Sequence, residues 1–309
     1  MNRLLKKVTL LLMFVLFAVG LVSCGSSNAG SSSSNESSSV YPLTLTDSFG
    51  GEVTLDKAPE KVVSVAPNMT ELVYKLGAGN MLVGRTDYCD YPEEALNVES
   101  IGTLRTPDIE KIISLEPDLV LTSTHFNEEN AQKLESAGIK VLSLYEENNV
   151  DGVYTMIDTL GKALNKQTEA EETVKEMKAT IEDTTKKIEG LEKPKVYYVV
   201  GFGEYGDFSA PENTFVGQLI KLAGGNNIVP ASDSWAFSLE KLIEADPEII
   251  VVKKGDKENF MSTPGYSDLS AVKNGKVYEI DNNLLDRQGY RNAEGVKVLA
   301  EIFYPEAFK

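Results

Sequence analysis

Residues suited to gripping a ligand gather in four short stretches: Tyr88-Cys89-Asp90-Tyr91-Pro92, Phe208-Ser209, Trp235, and Asp286-Arg287-Gln288-Gly289-Tyr290-Arg291. Aromatic faces suit a large, flat or partly apolar ligand, and guanidinium forks suit carboxylates or phosphates. A plainer account exists for some of them: Tyr91 and Phe237 as core rings, and Arg287 paired with a surface acid. Residues suited to breaking bonds are scarce. His125 is the only histidine, which excludes a zinc site built from several imidazoles. Neither a Gly-x-Ser-x-Gly elbow nor a Gly-x-x-x-x-Gly-Lys phosphate loop occurs. Gly201-Phe202-Gly203 lacks the third glycine of a dinucleotide motif, and Phe202 would crowd a pyrophosphate. Aspartate and glutamate number 47 against 30 lysines and arginines, so close carboxylate pairs arise by chance. The resulting charge of -17 argues against nucleic acid and anionic membrane surfaces as partners. No catalytic residue, resident metal or cofactor is expected, and the chain reads as one that captures a solute.

Two segments decide which elements position those stretches. The run from Asp108 to Val120 can be laid over the run from Ser238 to Ile250 without a gap. Each opens with an N-cap residue, Asp108 or Ser238. Each continues with apolar residues at helical spacing, Ile109/Ile112/Ile113 and Leu239/Leu242/Ile243. Each then meets a proline, Pro117 or Pro247, and passes into an apolar run that reads as a buried strand. Two copies so far apart predict two lobes of similar build. Strands are also expected at 61–66, 140–144, 195–200 and 276–280. Asn68 is expected to cap the helix after the first of these, with Glu71 completing a capping box. A second helix is expected near 215–223, ending at Gly224-Gly225. Strands alternating with helices predict α/β lobes with central, mostly parallel sheets. In such sheets ligands bind beyond the carboxyl ends of the strands, where the four stretches fall. Residues 151–191 contain no proline and carry apolar residues at helical spacing, which predicts a long connecting helix, bent near Gly161 or Asn165.

The amino-terminal residues predict where the chain works. Arg3, Lys6 and Lys7 precede an apolar run too short for a comfortable membrane span, the pattern of a secretory signal over residues 1–23. Residues 24–40 are largely serine, with glycine and asparagine, and read as a flexible tether. Two cysteines occur, Cys24 and Cys89, and loss of Cys24 to lipid would leave no internal disulfide.

Four runs of residues carry family resemblances. Leu21-Val22-Ser23-Cys24 resembles the lipobox of bacterial lipoproteins, which implies that Cys24 carries the lipid. The run from Val62 to Glu71 (VVSVAPNMTE), with Leu76-Gly77-Ala78-Gly79 and Thr86-Asp87-Tyr88-Cys89-Asp90-Tyr91-Pro92, resembles the opening of helical-backbone substrate-binding proteins of ABC importers. The likeness is to vitamin B12 binders first, then to ferric-siderophore and haem binders. It implies a lobe at 41–150, a connecting helix region at 151–191 and a lobe at 192–309, with a ligand in the cleft. It further implies ligand contacts from Tyr88, Phe208, Trp235, Asp286 and Arg291. His125 joins that set, since it or a tyrosine is available as an axial ligand to haem. Leu104, Thr124-His125 and Tyr290 depart from the B12 pattern. Glu110 and Glu240, equivalent in the repeat, are implied to dock onto arginines of a permease dimer. The expected partners are thus that permease, a metal chelate (corrinoid, siderophore or haem) and the membrane through the lipid alone. A secreted hydrolase would need a clustered acid/base pair, and a surface adhesion module a broad exposed apolar patch.

Overall fold

The computed structural model describes residues 40–145 and 149–309. The expected signal, Cys24 and all but the last residue of the tether lie outside the described residues. Two strands, β1 (Leu43–Thr46) and β2 (Glu52–Leu55), form an antiparallel hairpin whose turn is pinned by Asp47 Oδ1, which accepts from the amides of Phe49 and Gly51. Next come β3 (Val62–Ser64), α1 (Pro67–Lys75), β4 (Leu82–Arg85), α2 (Ile109–Ser114), β5 (Leu119–Thr122), α3 (Glu128–Ser136) and β6 (Lys140–Ser143). Helices α4 (Val150–Ala163) and α5 (Gln167–Lys187) lead to β7 (Lys195–Tyr198), α6 (Phe215–Leu222), β8 (Asn226–Asn227), α7 (Leu239–Ala245) and β9 (Ile249–Lys253). The chain closes with α8 (Lys257–Ser262), α9 (Ser270–Lys273), β10 (Val277–Ile280), α10 (Asn283–Asp286) and α11 (Asn292–Phe303).

The two four-stranded sheets are parallel throughout, in the orders β4-β3-β5-β6 and β8-β7-β9-β10. Each order runs second, first, third, fourth along its half of the chain, so the halves share one topology. The repeat explains part of this likeness. Asp108 Oδ1 accepts from the Lys111 amide at 3.0 Å, and Ser238 Oγ from the Lys241 amide at 3.4 Å. Both helices are left through a non-glycine residue in the left-handed region, Glu116 at φ 51° and Asp246 at φ 41°, one place before the prolines. Beyond them Asp118 accepts from the amides of Glu60 and Lys61, and Glu248 from that of Lys195, tying each repeat to the neighbouring strand.

Side chains alternate across both sheets, as strand geometry requires. Val62, Leu119, Leu121, Val196, Tyr198, Ile249 and Val251 all enter one continuous core, together with Leu160 of α4, Met177 of α5 and Leu299 of α11. Val63 and Val120 face a second core, and Tyr197, Ile250 and Val252 a third. The central core thus spans the two sheets and the helices between them. The connecting region is interrupted at Asn165, one of the two expected bend positions, and the interruption is a full break. The region is two helices, broken where Asn165 adopts φ 55°, and α5 at 1.5 Å per residue extends about 30 Å.

The start of α1 also differs from expectation. Its N-cap is Ala66 with Pro67 at the first turn, and neither Asn68 nor Glu71 forms a capping bond. Proline at N1 makes a side-chain cap less necessary because one orphan amide is already absent. Glu71 is directed to other partners. The helix end matches expectation: Gly77 at φ 69° lets Ala78 N–H reach the Val73 carbonyl.

Candidate functional site

A cavity of about 230 Å³ opens beyond the carboxyl ends of β3 and β5, the crevice where the strand order reverses. Ala66 and Asn68 wall it from the loop after β3, Thr124 and His125 from the loop after β5, and Asp286 and Arg287 from the other half of the chain. Leu104 also lines it. The β3 loop is held by hydroxyls: Ser64 Oγ donates to the Ala66 carbonyl, and Thr70 Oγ1 donates to Ser64 Oγ at 2.8 Å. His125 is exposed, with Nδ1 2.9 Å from Thr124 Oγ1.

Arg287 crosses from the second half to the first. Its Nη1 donates to Glu71 Oε1 at 2.8 Å and to Asp90 Oδ1 at 2.7 Å, and its Nη2 to the Tyr88 carbonyl at 3.3 Å. Arg291 crosses beside it, with Nε on Glu71 Oε2 at 2.8 Å and Nη2 on Oε1 at 2.6 Å. The Arg291 guanidinium also lies over the Tyr91 ring, 4.3 Å from its centroid. Glu71 is only 3% exposed, and a carboxylate so enclosed needs charge-assisted partners. Burial draws the Arg287 pKa down, but hydrogen bonds and charge from Asp90 and Glu71 outweigh it and hold it above the ordinary arginine value. Arg291 behaves likewise through Glu71.

Tyr88 is 57% exposed, and its carbonyl is the one that Arg287 reaches. Phe208 and Trp235, 37% and 46% exposed, sit on adjoining extended segments after β7; Phe208 bridges Gly201 and Ala236, and the Ser209 amide donates to the Trp235 carbonyl. Asp286 accepts from the Tyr198 hydroxyl at 3.1 Å and from Asn282 Nδ2 at 2.7 Å. Burial pushes its carboxyl above the usual range, and those bonds and Arg287 only partly offset it.

The expected site residues therefore divide. His125 and Asp286 line the cavity, Tyr88 sits at the inter-half crossing, and Phe208 and Trp235 stand together in the second half. Arg291 is buried against Glu71 and does not line the cavity. Tyr91 is 42% exposed rather than core, whereas Phe237 is buried as the plainer account had it. Arg287 pairs with one buried acid and one exposed acid on the other half. Glu71 escaped the sequence reading because its partners lie 216 and 220 positions away. Cys89 is buried beside Thr86 Oγ1, and burial raises its thiol pKa.

Glu110 and Glu240 each occupy the second position of their helix, are exposed and form no ion pair among the described residues. Lys111 and Lys241, the next residues, are instead held by Glu99 at 2.6 Å and Asp233 at 2.7 Å. Among the described residues no three His, Cys, Asp or Glu side chains converge on a metal position, and no helix is long and apolar enough to cross a membrane.

The two sheets share one topology, and both halves of the chain line the cavity at the strand ends of the first. The model of the periplasmic binding protein family matches residues 62–284, and the chain belongs to that family, as a substrate-binding protein of the ABC-transporter kind. It is 32% identical over 303 residues to an ABC transporter substrate-binding lipoprotein, YvrC, of Bacillus subtilis (strain 168), covering 96% of each chain. It is 29% identical over 280 residues to a cobalamin-binding protein of Halobacterium salinarum, covering 85% of this chain and 74% of that one. Among solved structures, the apo periplasmic heme-binding protein RhuT from Roseiflexus sp. RS-1 superimposes with a TM-score of 0.73 at 25% identity, covering 80% of this chain and 99% of that one.

Proposed function

We propose that this chain is the lipid-anchored capture component of an ABC importer, held by Cys24 on the extracytoplasmic face, and that it takes a metal chelate, a corrinoid first. Residues 41–150 and 192–309 form the two lobes of this reading, with 151–191 between them. The observation that carries the ligand class is the cavity walled from both halves, whose one arginine is already paired with carboxylates and with the carbonyl of the exposed Tyr88. A flat macrocycle with little net charge suits such a site better than a polyanion does. At about 230 Å³ the cavity falls below the ~300–1,000 Å³ of enclosed small-molecule pockets. A macrocycle in it keeps its rim outside, where Tyr88, Phe208 and Trp235 supply faces for stacking. In this reading the metal arrives inside its chelator; among the described residues no three His, Cys, Asp or Glu side chains converge on one.

Haem is the second reading, favoured by His125 standing exposed in the cavity wall and by the likeness to RhuT. In both readings Glu110 and Glu240 dock the two lobes onto arginines of a symmetric permease dimer.

The test is a titration read through Trp235, the only tryptophan, with cyanocobalamin, haem and ferric siderophores in parallel. The expected result is saturable corrinoid binding, weakened about three- to tenfold by Tyr88→Ala as one stacking face is lost. Tight haem or siderophore binding in its place overturns the corrinoid; no binding of any of them overturns the chelate class.

A further inference from the structure

Two guanidinium groups beside a cleft are the chemistry that reads carboxylate or phosphate groups on a ligand. Here both forks are already filled from within. Glu71 takes three hydrogen bonds, one from Arg287 and two from Arg291. One carboxylate cannot balance two cations, and Asp90 supplies a second negative charge at 2.7 Å from Arg287. Asp281 stands 3.6 Å from Arg291. Of the two arginines, Arg287 forms part of the cavity wall, so its charge is the one that an incoming ligand meets.

The position of Asp90 separates a selective role from a purely structural one. It is an exposed residue on the loop after β4, where a carboxylate is not needed to complete a core. Its effect is on charge: with Asp90 and Glu71 in place, Arg287 has no unmatched positive charge to offer. Remove either, and Arg287 loses one of its two carboxylate partners, leaving its charge less fully matched at the cavity wall.

We propose that Glu71, seconded by Asp90, is a specificity-determining residue of the cleft: by occupying Arg287 and Arg291 it turns polyanionic chelates away and reserves the cavity for chelates of little net charge. This rests on the reading that the cavity takes a chelate. The role is exerted through the arginines, without contact between Glu71 and the ligand.

The experiment compares the purified full chain in detergent with its Asp90→Asn and Glu71→Gln variants. Each is titrated with ferric citrate, a polyanionic chelate, and with cyanocobalamin, a neutral one, at low and high salt. The expected result is a rise of about tenfold in ferric citrate affinity in either variant, as Arg287 loses a negative partner, and a gain that shrinks with added salt. Damage to the fold would weaken both ligands together, so a gain for the anion alone is the signature. Asp90→Asn keeps the test open if Glu71→Gln fails to fold. Ferric citrate affinity that is unchanged or lower in the folded variants overturns the proposal. If no form binds cyanocobalamin, the corrinoid reading fails, while the citrate comparison still decides the role of Glu71.

Discussion

Asp286 carries its carboxyl into the cleft wall, where burial raises its pKa and bonds from Asn282 and Tyr198 recover only part of the loss. A carboxyl raised in the folded state binds a proton more tightly there than in the unfolded chain. Its stabilising contribution is therefore complete below the unfolded value near 3.8 and is lost as pH rises through the raised folded value. Asp286→Asn cannot ionise, so its stability relative to the parent chain should climb across that window, measured as the urea midpoint against pH. A relative stability that falls instead would mean that the folded state prefers the ionised carboxylate. At this scale the sequence was legible only where chemistry is local. Asp108 and Ser238 announced themselves as caps because their acceptors serve amides three residues on. Asn68 and Glu71 had the same signature, but Pro67 took over the helix start and Glu71 found its partners across the cleft. Nothing within a dozen residues of Glu71 records that choice.

The elements show the same division. The paired helix–turn–strand segments were legible since apolar spacing, a cap and a proline are each written inside them. Strand order was not, because neighbours in a parallel sheet are chosen by packing over long separations. The break between α4 and α5 falls on Asn165 in a left-handed conformation, so the bend was legible at that residue but its completeness was not. Once broken, the helices pack closely at Gly161. A β-carbon placed there would lie 2.4 Å from the Ala170 Cβ and 3.1 Å from the Lys166 carbonyl oxygen. Gly161→Val should therefore force the helices apart and cost about 1–3 kcal/mol, read from the thermal midpoint. An unchanged midpoint would mean that this approach is not tight in solution.

At the scale of the whole molecule, the likeness of the halves places Glu110 and Glu240 at matching points, each beside a lysine that its own half has neutralised. Two exposed carboxylates with no ion pair among the described residues, in repeated settings, suit a two-fold symmetric partner, although each also complements its own helix dipole. Ser238 and its own amide already hold the Glu240 carboxyl below its ordinary pKa, which fits that local role. The double variant Glu110→Ala, Glu240→Ala should lower uptake in cells and leave solute affinity unchanged; full uptake would assign both residues to the dipole alone.

The continuous core has a consequence in time. Met69 and Leu72 of α1 are covered in part by the same cluster that holds Leu284, Leu285, Val296 and Leu299. A chain made from its amino end therefore completes that cluster only after roughly 200 residues beyond α1 have been added. Contacts so distant in sequence close slowly, so the central core stays unfinished until the last helix arrives, although the second core is made wholly of first-half residues. For a chain read as crossing a membrane before it works, that delay keeps it threadable: the fold that captures a solute outside is one that the chain cannot finish too early inside.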